Sequence, residues 1–320
     1  MKAIQLQKPE GIETLTYDDV PRPEPDRHEL RVQVHAAGIN PIDWLMCRGD
    51  LSHLLDREVP WTPGWDVSGV IEAVGANVTG FNPGDTVCGM ARLPGGGGAF
   101  AEYITMRSDE LTDKPQSLSH LEAAGVPMAG QTAFHALYEE GNLGAGQRVL
   151  IHAAAGGVGH MAAQFAANTG AHVIGTASGR NEAFLRELGV DKFVNYRHKR
   201  FEDVVDDVDV VLDAVGGDVL ERSVEIVQPG GIVVTLPEPP SERVVERYNE
   251  HGVDVSFFDA ILDSDPATLR RVAAHADSEV VAPRISGTYP LSEVQDALER
   301  SADGHVRGKL VVDLTADADD

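Results

Sequence analysis

The stretch RVLIHAAAGGVGHMAAQFA (148–166) passes from an apolar strand-like run, through glycines, into helical spacing. That order is the chemistry of a phosphate cradle. A loop without bulky side chains lets backbone N–H groups approach a pyrophosphate, and the following helix N-terminus adds unpaired donors. Gly156 permits the close approach, Gly157 widens it, and Gly159 lets the helix pack on the sheet. Ala155 and Val158 complete the loop. Ala154 stands where the dinucleotide fingerprint has its first glycine, a position that alanine fits if its φ stays negative.

The end of the next strand decides which nucleotide fits. An acidic residue there would accept hydrogen bonds from a ribose 2′-hydroxyl. This chain has TASGRN instead, with Ser178 and Arg180. A hydroxyl donor and a guanidinium fork suit a 2′-phosphate, which a carboxylate would repel. The expected cofactor is therefore NADP(H).

The elements that must hold these residues form two blocks. From the N-terminus, KAIQLQ, TLTYDDVPRPEP, HELRVQVHAAGIN, two runs within VSGVIEAVGANVTGFNPGDTVCGM, and GAFAEYITM read as strands separated by turn residues. Near residue 120 the pattern turns helical, with Ser119 as N-cap before Glu122. RVLIHAA, HVIGTAS, KFVNY, VDVVLDAV, GIVVTLP and VDVSFF then alternate with helices over about 158–168, 180–188, 200–205, 217–226 and 241–250. Apolar strands separated by helices predict a parallel sheet covered on both faces. The tail returns to β character. Residues 94–98, PGGGG, read as a flexible loop, and TADADD as a frayed acidic end. The expected division is a β-rich catalytic domain (1–122), an inserted dinucleotide-binding domain (123–260) and a return to the first domain (261–320). The cleft between domains is the expected place for chemistry.

Composition narrows the partners. Acids number 51 against 26 bases, for a net charge of −25. Such a surface repels nucleic acid and anionic membrane. With 42% hydrophobic residues the chain is not disordered, and the acidic excess reads as adaptation to a cytosol of high salt. Nothing resembles a signal peptide or a membrane span, so the protein is expected in the cytoplasm; the expected assembly is a homodimer. Cys47 and Cys88 lie in no CxxC and read as small buried hydrophobes.

In order and spacing, AAGINPIDW (36–44), VPMAGQTAFHAL (126–137), AAAGGVGHMAAQFA (153–166), DAVGGD (213–218) and HVRGKLVVDL (305–314) match one family. Together they resemble the zinc-independent quinone oxidoreductase branch of the medium-chain dehydrogenase/reductase superfamily. The resemblance implies an α/β fold: a GroES-like β-rich catalytic domain with an inserted Rossmann domain, a doubly wound parallel sheet. Zinc-dependent relatives carry cysteine where this chain has Asn40, and His-Glu where it has Trp65-Asp66. Their structural cysteines have no counterpart here, so no metal is expected. His28, His35, His53, His135, His152 and His160 are scattered, and nearly all of them read as surface or cap residues.

Without a Lewis acid, alcohol oxidation is disfavoured, whereas quinones and α,β-unsaturated carbonyls accept hydride directly. The resemblance places Asn40, Asp43 and Thr132 by the nicotinamide and Tyr196 by the adenosine phosphate. It adds Ala214, Val215, Gly216, Leu236, Phe257, Phe258, Gly308 and Lys309 as cofactor contacts or cleft lining. For Phe257 and Phe258, core packing is an equal alternative. The branch's tyrosine after NPxD is replaced by Trp44 and Leu45, which leaves the proton donor unassigned. Two other functions stay open: a zinc-free alcohol or aldehyde dehydrogenase, and a non-enzymatic NADPH-binding protein of the crystallin or sensor kind.

Overall fold

The computed structural model describes residues 1–51, 54, 58–92, 97–259 and 265–316. His53, most of the glycine-rich loop and the last four residues lie outside them. The chain divides into two units, Met1–Met128 with Asp265–Asp320, and Ala129–Ser264.

The first unit opens with an antiparallel ribbon of β1 (Lys2–Leu6) and β2 (Leu15–Asp19). β3 (Glu29–Gly38), α1 (Pro41–Arg48), β4 (Asp66–Val74), β5 (Thr86–Met90), β6 (Tyr103–Arg107), β7 (Leu111–Asp113) and α2 (His120–Ala124) follow. α3 (Pro127–Phe134) leads into the second unit. There β8 (Arg148–Ile151), α4 (Gly159–Thr169), β9 (His172–Ala177), α5 (Glu182–Glu187), β10 (Lys192–Asn195) and β11 (Val208–Asp213) alternate. α6 (Gly217–Ser223), β12 (Val227–Thr235), α7 (Glu242–Glu250) and β13 (Asp254–Phe257) complete that unit. α8 (Pro266–Asp277), β14 (Ile285–Pro290), α9 (Val294–Ala302) and β15 (Lys309–Asp313) return to the first.

The second unit is the expected doubly wound sheet, with strand order β10-β9-β8-β11-β12-β13. Every pairing in it is parallel. Its strands are apolar because helices bury both faces. Leu150, Ile174, Val211 and Val233 share one core with Tyr248, whose hydroxyl donates to Leu220 O at 2.7 Å. Burial of each such side chain stabilises by about 1.5–3 kcal/mol, so the strand ends rest on a rigid scaffold.

The first unit's larger sheet has the order β14-β15-β3-β4-β5-β7, with β6 also on β3. Within this β-rich block the sequence reading missed α1. Asn40 caps it in extended conformation, Pro41 stands at its first position, and Gly49 ends it at φ 83°. Pro41 supplies the helical φ and lacks only an N–H that would have no partner there. The histidine reading also needs correction. His152 and His160 are 1% and 0% exposed. His152 hydrogen-bonds Thr176 and Ser223, each at 3.1 Å, and His160 Nδ1 contacts Gly156 O at 2.8 Å. They are core residues. Both cysteines are buried, and desolvation pushes each thiol up to about 12.

Candidate functional site

In the second unit, the residues singled out from the sequence gather at the carboxyl ends of the parallel strands. β8 leads into Ala155–Gly159, β9 into Ser178 and Arg180, and β10 into Tyr196. β11 leads into Ala214–Gly216, β12 into Leu236, and β13 ends at Phe257. The chain moves outward from β8 to β10, then crosses back to β11 on the other side of β8. The loops after β8 and β11 therefore flank the switch point, where open α/β sheets bind ligands.

A Cβ on Gly159 would lie 2.4 Å from Ala153 O and 2.7 Å from Ala154 Cα, so only glycine lets α4 start this close to β8. The positive φ of the turn falls on Ala153, at 50°, rather than on Ala154. Among the described residues, the N–H groups of Ala155, Gly157 and Val158 find no acceptor. These donors beside a helix start fit an anion.

Ser178 is 5% exposed and Arg180 lies at the surface. Tyr196 is 48% exposed, and its N–H donates to Ala177 O at 3.4 Å, which puts it beside the end of β9. No acidic side chain stands at residues 177–181. Asp213, which the sequence reading passed over, organises the loop after β11. It is fully buried and accepts from Val215 N at 2.9 Å and Gly216 N at 3.1 Å. A carboxylate closing on the two N–H groups just after it is the signal that DAVGG carried. Leu236 N donates to Asp213 O at 3.0 Å. Phe257 is half-buried. Phe258 is 2% exposed and stacks on His135 with centroids 4.2 Å apart, which is core packing. Thr132 belongs to this unit and is buried on α3.

In the first unit, three strands bring a second group together. β15 and β4 pair with opposite edges of β3, so residues at their starts flank Asn40, just past the end of β3. Lys309 Nζ donates to Ile39 O at 2.7 Å and to Asn40 Oδ1 at 2.5 Å. Asn40 Nδ2 donates to Asp66 Oδ2 at 2.9 Å, and Asp66 Oδ1 accepts from Met128 N at 3.0 Å. Asn40 N donates to Asp43 Oδ2 at 2.6 Å. Gly308 is held at φ 69°, and a Cβ there would lie 2.1 Å from Arg284 O. All four polar side chains are at most 3% exposed. Desolvation pushes the Asp66 carboxyl up to about 6 and that of Asp43 well above its usual range. It pushes the Lys309 ammonium down, against the pull of both carboxylates.

Asp66 and the inward turn of Lys309 were not legible beforehand, because both depend on the register of distant strands. Asp43 Oδ1, Trp44 Nε1 and Trp65 Nε1 are buried without a hydrogen-bond partner, and each belongs to this group or adjoins it in sequence. The second Nδ2 hydrogen of Asn40 also has no acceptor among the described residues. Such orphan groups call for a partner, whether water, an ion or a ligand; Arg148 Nε, in the second unit, is another among the described residues. A cavity of about 640 Å³ in the same unit, walled by Trp61, Tyr103, Arg92 and Arg107 among others, includes none of these residues.

Two family models match the chain. An alcohol dehydrogenase GroES-like domain covers residues 26–116, and a zinc-binding dehydrogenase domain covers residues 188–312. The chloroplast envelope quinone oxidoreductase homolog of Arabidopsis thaliana is 30% identical over 322 residues, with 95% of each chain covered. The NADPH-dependent alkenal/one oxidoreductase of the same plant is 30% identical, covering 98% of this chain and 79% of that one. Among solved structures, the quinone oxidoreductase from Coxiella burnetii is 36% identical with a TM-score of 0.90, over 98% of this chain and 99% of that one. No helix among the described residues is long and apolar enough to cross a membrane.

Proposed function

The chain belongs to the quinone oxidoreductase branch of the medium-chain dehydrogenase/reductase superfamily, and from that premise we propose that it is an NADPH-dependent, zinc-free reductase of quinones or α,β-unsaturated carbonyls. The observation that carries this reading is the Lys309–Asn40–Asp66 group. A buried ammonium already donates to Asn40, at the position where zinc-dependent relatives carry a cysteine ligand. A second cation there would meet that charge with no thiolate to offset it. The residues present do not fit the metal named in one of the matched family models.

The residues do fit a nicotinamide dinucleotide. In this reading, Ala155–Gly159 hold the pyrophosphate through backbone N–H groups, and the loop organised by Asp213 borders it. Arg180 and Ser178 meet the 2′-phosphate, with Tyr196 beside the adenosine. The bound cofactor supplies a hydride. The protein's part is to align the acceptor, exclude water and stabilise developing negative charge on a carbonyl oxygen. Asn40 retains one amide N–H for that oxygen, and Thr132 serves the carboxamide. Solvent supplies the proton to a hydroquinone or enolate product.

Steady-state NADPH oxidation against a panel of quinones and enones, with chelator present, tests the proposal. The expected result is turnover of at least one class, undiminished by chelator. Turnover only of alcohols with NADP⁺, abolished by chelator, would overturn it.

A further inference from the structure

Asn40 is held from both sides by groups that can each play only one part. An ammonium has donors and no acceptor, and a carboxylate accepts. Lys309 Nζ meets Asn40 Oδ1 at 2.5 Å, and Asp66 Oδ2 meets Asn40 Nδ2 at 2.9 Å. An amide is nearly symmetric in shape, so packing alone discriminates poorly between its two flipped orientations. Here the flipped state would set –NH₂ against –NH₃⁺ and carbonyl against carboxylate, two repulsive contacts in a buried place.

The partners are themselves fixed. The Lys309 backbone N–H donates to Arg284 O at 2.8 Å, and its ammonium also holds Ile39 O. Asp66 is pinned through its other oxygen by Met128 N. With Lys309 only 3% exposed and its ammonium turned onto Ile39 and Asn40, its chemistry is directed at the protein rather than at a cofactor phosphate.

We propose that Lys309 is a positioning residue: with Asp66 it locks the Asn40 amide in one orientation, so that the remaining Nδ2 hydrogen is always the group offered to the acceptor's oxygen. The proposal rests on the role given to Asn40 above and reassigns Lys309 from cofactor contact to support. It predicts that a neutral donor suffices at position 309. Glutamine can donate to Asn40 Oδ1 while Asp66, which only accepts, still opposes the flipped state, whereas methionine cannot donate at all.

The test compares wild type with Lys309→Met, Lys309→Gln and the charge-neutral double variant Lys309→Met/Asp66→Asn. The first readout is the ¹H–¹⁵N spectrum of the Asn40 side-chain amide, assigned by its loss in Asn40→Ser. Wild type and Lys309→Gln are expected to show one sharp pair of Nδ2 protons, and Lys309→Met a broadened or doubled pair. The second is kinetic. Lys309→Met is expected to lower kcat about 10- to 100-fold with NADPH affinity unchanged, the scale of a small misplacement. Lys309→Gln is expected to recover most of that loss.

A spectrum and kcat unchanged in Lys309→Met would overturn the proposal, as would a fall in NADPH affinity in place of kcat. Wild-type kcat in the double variant would also overturn it, because Lys309 would then only balance charge. Should Lys309→Met fail to fold, a folded Lys309→Gln with low kcat overturns it, and one with near-wild-type kcat and a single amide pair supports it. If no acceptor is turned over by any form, the functional reading fails, and the amide spectrum alone decides the orientation.

Discussion

At the scale of single residues, the proposed preference for NADPH rests on Ser178 and Arg180. Ser178 is nearly buried at the end of β9, so the proposal assigns most of the discrimination to the exposed Arg180. Charge-assisted hydrogen bonds are worth about 1.5–3 kcal/mol, or roughly 10- to 100-fold in affinity. Arg180→Ala is expected to weaken NADPH binding by that factor and leave NADH binding unchanged, as measured by fluorescence titration of both. Equal weakening of the two, or none, would remove Arg180 from the phosphate site. The position of these two residues just past β9 was readable from the sequence because strand, loop and helix follow one another locally. Asp66 and Lys309 were not. Asp66 stood out only as the place of a missing zinc ligand, and Lys309 only as part of a terminal motif. Their joint hold on Asn40 comes from Gly38 pairing with Asp66 on one edge of β3 and with Val311 on the other. Register between strands, 26 residues apart for Asn40 and Asp66 and 269 for Asn40 and Lys309, leaves no local trace.

At the scale of elements, the parallel strands were legible because helices bury both of their faces, leaving continuous apolar runs. α1 was not, since eight residues between strands carry too little periodicity to stand out. The end of β8 supplies a test of the folded scaffold. His152 is 1% exposed, and desolvation pushes its imidazole down to about 3. Between pH 6.5 and about 3 the unfolded chain therefore holds a proton there that the folded chain does not. Stability from this group is complete above pH 6.5 and is lost as pH falls. Between pH 7.5 and 5 that amounts to about 2 kcal/mol. His152→Gln keeps a neutral hydrogen-bonding side chain and cannot titrate. Urea unfolding at both pH values is expected to show the variant losing about 2 kcal/mol less than wild type on acidification. Equal losses would mean that the imidazole charges without unfolding.

At the scale of the whole molecule, a net charge of −25 with only six lysines among the bases motivates the proposal that the fold is adapted to high salt. At about 0.01 M salt the Debye length is about 30 Å, so like charges repel across the fold; at about 1 M it is about 3 Å. Each exposed pair contributes little, about 1 kcal/mol at 4 Å in water. On the salt-adaptation proposal, the repulsion summed over many pairs rivals a net stability of about 5–15 kcal/mol. The melting temperature is expected to climb steeply from low salt to molar KCl, and a flat or falling series would refute adaptation to salt. At this scale too, the order of motifs along the chain made the two-part α/β architecture readable, while the acceptor's identity depends on loop shapes that no local pattern encodes. The most direct measurement of the central claim follows the hydride itself, at molar KCl. NADPH deuterated at the transferable C4 position is incubated with the enzyme and an enone, and the product is examined by mass spectrometry and NMR. The account predicts slower consumption than with unlabelled NADPH, and deuterium at the β-carbon of the reduced enone. Failure to consume NADPH with any enone or quinone, or enone reduction with no label transferred, would contradict it.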